Sequence, residues 1–68
     1  MERYHCVFKG DIYNAEISDS VFGGCTLSIW KTRQGREPKM TFTNHYKSVF
    51  DAKMAMEDWI PDADWKAR

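Results

Sequence analysis

The sequence predicts one small α+β domain: an antiparallel three- to four-stranded meander followed by a single C-terminal helix packed on one face of the sheet. Three observations predict it. Three stretches between residues 2 and 32 alternate apolar and polar side chains, the period of half-buried strands. Glycine-bearing segments break that alternation at residues 10–11, 19–24 and 33–38. From Ser48 the pattern takes a helical period, which Pro61 stops.

In the first strand Tyr4, Cys6 and Phe8 alternate with Arg3, His5 and Lys9, and Gly10-Asp11 offers a two-residue hairpin turn. That turn pairs Phe8 with Tyr13, Cys6 with Ala15 and Tyr4 with Ile17, so all six fall on one face of a second strand spanning 12–18. The opposite face then sets His5 across from Glu16 and Val7 across from Asn14, a mostly polar surface. Asp19 to Gly24 is a loop. A third strand, 25–32, has Cys25, Leu27 and Ile29 on the core side and Thr26, Ser28 and Trp30 on the other.

Arg33 to Pro38 is a basic hairpin loop, and Lys39 to Tyr46, rich in Thr and aromatics, is a fourth strand. Opposing Ile29 to Phe42 and Leu27 to Asn44 fits, except that Asn44 then falls on the core side, which suggests a bulge or shift near Asn44 and His45. Ser48 caps the helix, with Asp51 three residues on as an acidic capping box. The domain therefore divides into a sheet at about 2–46, a helix at about 48–60 and a tail, 61–68, whose Trp65 could fold back over an edge.

At 68 residues there is room for one domain only, burying about 60% of its surface. With 43% hydrophobic and 15% aromatic residues, the chain is too apolar for disorder. Two cysteines and no basic-then-apolar amino-terminal stretch point to a reducing cytoplasm. No apolar run nears the ~20 residues of a membrane span, so a soluble protein with no membrane partner is expected.

Ten cationic and ten acidic side chains cancel, which argues against bulk attraction to polyanions. The charge is uneven, however. Lys31, Arg33, Arg36 and Lys39 face only Glu37 in one segment, whereas Asp51, Glu57, Asp58, Asp62 and Asp64 face only Lys53 in another.

On a helical projection Val49, Ala52, Ala55, Met56, Trp59 and Ile60 share an arc of about 140°, wide enough to cover the sheet. Phe50 and Met54 fall outside it, beside Asp51, Lys53, Glu57 and Asp58. A rotated helix or a folded-back tail would bury the pair. Left free, Phe50 and Met54 form a partner or homodimer contact with Glu57 and Asp58 as polar rim.

Catalysis and metal binding find no support. His5, Cys6, Cys25 and His45 lack the close spacing of zinc ligands, and alternation sends His5 and Cys6 to opposite faces. Gly23-Gly24 is followed by neither a Lys-Ser/Thr pair nor a helix, so no phosphate-cradling loop is present. No cofactor is expected. A second candidate surface is the polar sheet face, where Trp30 sits among Thr26, Ser28, Thr41, Thr43 and His45 with Lys31, Arg33, Arg36 and Lys39 at one end. A threonine-rich strand packing beside a half-exposed Trp would look the same.

The run from Ser48 to Ile60, SVFDAKMAMEDWI, placed after strands, resembles the helix of short phage and prophage proteins of strand-strand-strand-helix plan. In those, polar residues commonly stand where this chain has Phe50 and Met54. The resemblance implies a stoichiometric inhibitor of a bacterial host or defence protein, anti-CRISPR proteins among them, acting in the host cytoplasm. The plan is also similar to AP2-type and integrase arm-binding DNA readers, against which zero net charge and few sheet arginines count. The reading that follows is a non-enzymatic protein-binding module using Phe50, Met54, Glu57 and Asp58. A nucleic-acid-binding domain using Trp30 and the basic loop is the alternative.

Overall fold

Five antiparallel strands and one helix follow in chain order: β1 (Glu2–Phe8), β2 (Asp11–Asp19), β3 (Cys25–Thr32), β4 (Lys39–Tyr46), α1 (Val49–Trp59) and β5 (Lys66–Ala67). This computed structural model describes residues 1–33 and 35–68, so the expected basic loop is described except at residue 34. The sheet order is β4-β3-β2-β1-β5. The expected α+β class and meander hold, with a fifth strand added.

The first turn is Lys9-Gly10 and not Gly10-Asp11. Both residues have left-handed φ, 51° and 83°, as a two-residue hairpin turn requires. Cys6 therefore pairs with Tyr13 and Tyr4 with Ala15. Relative to the expected register each residue meets a partner two positions away, and a shift of two preserves the face. Asp11 is freed from the turn to become a strand residue, with Lys31 Nζ at 3.2 Å and Arg33 Nε at 3.6 Å from its carboxylate.

Across β3 and β4, Ile29 opposes Phe42 and Leu27 opposes Asn44, as the sequence suggested. The irregularity lies elsewhere: the register slips between Ile29 and Trp30, so that Trp30 meets Met40. Thr41 is the extra residue, and its hydroxyl donates to the Ile29 carbonyl at 3.2 Å. Asn44 needs no bulge to escape the core. It is exposed, and its side-chain oxygen accepts the His45 backbone N–H at 2.9 Å. On an edge strand that contact occupies a donor otherwise open to another strand.

Ser48 is extended and its hydroxyl accepts the Asp51 N–H at 3.2 Å, which starts α1 where the sequence placed it. The helix lies over β2, β3 and β4. Ile17, Leu27, Ile29, Cys25 and Met56 are fully enclosed, with Tyr4, Cys6, Tyr13, Ala15 and Ala52 completing the core. Each large aliphatic group so buried is worth about 1.5–3 kcal/mol. Trp59 closes one end, edge-on to Tyr13 with ring centroids 5.6 Å apart and tilted against Phe42 at 6.2 Å.

The tail does fold back. After a turn from Ile60 to Ala63, Ala63 and Trp65 pack against the core, and Lys66 and Ala67 pair with His5 and Tyr4. The Arg68 N–H continues the ladder to the Arg3 carbonyl at 2.9 Å. Among the described residues no helix is long and apolar enough to cross a membrane.

Candidate functional site

Helix and sheet leave two surfaces free. On the helix side Phe50 is 71% exposed and Met54 44%, with Asp51, Glu57 and Asp58 also in solvent. Neither a rotated helix nor the tail covers the pair. The cation of that helix is engaged elsewhere: Lys53 Nζ lies 5.3 Å over the Tyr4 ring. Contact with the Tyr4 hydroxyl raises the Lys53 pKa, while the Tyr4 pKa is raised first by its hydrogen bond to Glu2 and then by burial.

Sequence reasoning missed the most exposed apolar residues of all. In the β2–β3 loop Val21 is 93% and Phe22 97% exposed. The loop that carries them is well bonded: Ser20 N–H donates to the Gly24 carbonyl and Gly23 N–H to the Ser20 carbonyl, both at 3.1 Å. The Ser20 hydroxyl accepts the Phe22 N–H at 3.3 Å. Gly24, at φ +72°, is held against the Tyr46 carbonyl, where any Cβ would collide. Gly23, Gly24, Tyr46, Lys47 and Asp51 wall one depression of about 560 Å³, so the loop and the start of α1 share one end of the molecule.

Asp51 and Lys47 both stand at that end, and acids act on the thiol beneath it. The Cys25 thiol, which donates to the Ser48 carbonyl at 3.2 Å, has its pKa raised first by burial and then by Asp19, Asp51 and Glu2. Burial, followed by Asp64, likewise raises the Cys6 thiol. Both cysteines are free and buried, and such thiols stay protonated and unreactive at neutral pH.

The second surface is the face of the sheet away from α1, and here the expected grouping changes. Lys31 and Lys39 oppose one another on the helix side, while Trp30 points to the other face beside Asn14 and Met40. Lys31, Arg33, Arg36, Glu37, Lys39 and Thr41 surround a separate depression of about 290 Å³. Trp30 and the four loop cations are thus not one patch, and Thr41 belongs with the cations. Ser28 and Thr43 remain on the Trp30 face with hydroxyls 3.2 Å apart, and Thr26 bonds His45 Nδ1 at 3.0 Å.

The groups that do surround Trp30 are Arg3, Asn14, Glu16, Pro38 and Arg68, lining a depression of about 510 Å³. Arg3 pairs with Glu16 at 3.5 Å, and Arg68 donates to the Asn14 side chain at 3.0 Å. Nor is this face mostly polar throughout. Val7 opposes Ile12, not Asn14, and both are exposed, as is Met40. Period-two alternation alone could have flagged Val7 and Ile12, whereas Arg68 reaches Arg3 only because β5 pairs with β1.

His5 and Cys6 do fall on opposite sides of β1, and among the described residues no three His, Cys, Asp or Glu side chains gather as a metal-binding group. Compared with protein-family models, curated proteins and solved structures, the chain matches none of them.

Proposed function

We propose that this chain is a non-enzymatic protein-binding module, a phage-derived stoichiometric inhibitor of a bacterial host or defence protein, working in the host cytoplasm. The carrying observation is the set of large apolar side chains left in solvent on the helix side and at its amino-terminal end: Phe50, Met54 and, beyond the sequence reading, Val21 and Phe22. Isolated exposed apolar residues are ordinary, but a nearly fully exposed Phe on a well-bonded loop, at the end of the molecule where α1 begins, has the make-up of an interface anchor. A bonded loop also loses little entropy on docking.

Asp51, Glu57 and Asp58 share α1 with Phe50 and Met54 and are exposed, so the complementary partner surface is an apolar pocket with a basic rim. Such a rim speeds encounter and sets orientation, while the apolar anchors supply affinity. Retention on the tagged chain of one protein from a nuclease-treated bacterial lysate, lost with Phe50→Glu, is the expected result. Partner recovery unchanged by Phe50→Glu would place the interface elsewhere.

A further inference from the structure

The open face of the sheet is the counterpart of the acidic helix side. Arg3, Lys66 and Arg68 lie on it with Glu16, which pairs with Arg3 at 3.5 Å, and Asp64 shares a depression with His5, Val7 and Lys66 at its edge. Arg68 is held by a neutral amide, Asn14, so its charge remains available to an anion. Charge is thus uneven on this chain of zero net charge: acidic groups line α1, and Arg3, Lys66 and Arg68 meet where β1 pairs with β5.

Trp30 sits within this basic field, half-exposed, on the wall of the depression shared by Arg3, Asn14, Glu16, Pro38 and Arg68. Next to it along β3 and β4 runs a line of hydrogen-bonding groups, Ser28, Thr43, Thr26 and His45. We infer that this face binds single-stranded nucleic acid, with a base stacked on the Trp30 indole and backbone phosphates on Arg68 and on Arg3, which exchanges Glu16 for phosphate. An indole ring offers a stacking partner to any unpaired base, and guanidinium groups match phosphate geometry bidentately. A duplex keeps its bases stacked inside and could use only the arginines. The surface therefore selects single strands, with a preference set by stacking rather than by base-edge reading.

This site is separate from the helix-side surface and stands whether or not that surface binds a protein. The test uses the full chain and a fluorescently labelled 20-nucleotide oligo(dT), followed by anisotropy. Saturable binding below about 100 µM is expected in 50 mM salt, weakening about 7- to 20-fold at 200 mM salt for two to three phosphate contacts. Trp30→Ala is expected to weaken binding about tenfold or more while Trp30→Phe retains most of it. Arg68→Ala should flatten the salt dependence by about one phosphate contact, and Phe50→Glu should leave affinity unchanged.

Duplex of the same length should bind at least several-fold more weakly, and vesicles of phosphatidylserine and phosphatidylcholine should not be retained. No binding to oligo(dT) in 50 mM salt overturns the inference. So does binding indifferent to Trp30→Ala in a variant whose circular dichroism and Tm match the parent, or equal affinity for duplex. Trp30-dependent binding to anionic vesicles without oligonucleotide binding overturns it in favour of a lipid surface.

Discussion

The two faces of one sheet are built from the same strands and differ in everything else. Under α1 the alternate residues Ile17, Leu27 and Ile29 are fully enclosed with Met56. One position along each strand, Glu16, Ser28 and Trp30 face solvent with arginines from both chain ends. The covered face supplies stability because apolar area leaves water there. The open face can vary in chemistry because little of the fold depends on it. A helix-side counterpart exists in α1 itself, where Ala52 and Met56 are buried and Phe50 and Met54, two positions before each, are free.

The sharpest break of this comparison is Ile29→Ala against Trp30→Ala. Removing Ile29 from a fully enclosed site should cost about 3–4 kcal/mol, most of the stability of a domain this small. Trp30→Ala should cost less than about 1 kcal/mol. Urea midpoints measure both, and equal losses would mean that Trp30 is a core residue.

Next in size, Gly24→Ala should cost about 2 kcal/mol or more, since left-handed φ and the Tyr46 carbonyl both oppose a Cβ. Gly35→Ala, at φ +77° with open space around it, should cost about 1 kcal/mol. Thermal melts that rank the two alike would remove the packing argument for the β2–β3 loop. Ser48→Ala, which deletes the cap on the Asp51 N–H, should cost about 1 kcal/mol by the same measurement.

Much of the covered face was legible in the sequence, and the reasons are physical. Tyr4, Cys6, Tyr13, Ala15 and Ile17 are buried as alternation required, even though the hairpin turn moved by one residue, because a two-residue register shift keeps every side chain on its face. Gly10 suits either turn, so the choice between Lys9-Gly10 and Gly10-Asp11 was hidden. The helix was legible through Ser48 and Pro61, and the helical period left Phe50 and Met54 outside the arc. The candidate surfaces were half legible. A two-residue strand carries no period, so β5, and with it the meeting of Arg3 and Arg68 around Trp30, could not be read. Val21 and Phe22 were hidden inside a segment whose glycines marked it only as a loop.

A smaller effect concerns pH. Tyr4, Cys6, Cys25 and Lys53 all have pKa values raised in the folded chain. Groups raised on folding hold their protons more tightly in the native state. Their contribution is fully present below the ordinary thiol value of 9.0 and is lost as pH climbs through the raised folded values. Tm should therefore fall steadily from about pH 9 to pH 11. A Tm that holds level over that range would contradict the enclosure of the two thiols.

The central claim is that Phe22, Phe50 and Met54 are exposed for binding and contribute little to the fold. Its direct measurement is the triple variant Phe22→Ser, Phe50→Glu, Met54→Glu, read by Tm and by retention of a protein partner from nuclease-treated bacterial lysate. A Tm no more than about 10 °C below the parent, with the partner lost, is the predicted result, since three exposed substitutions at up to about 0.5 kcal/mol each sum to about 1.5 kcal/mol. A collapse of Tm, or a partner retained at parental yield, would contradict it.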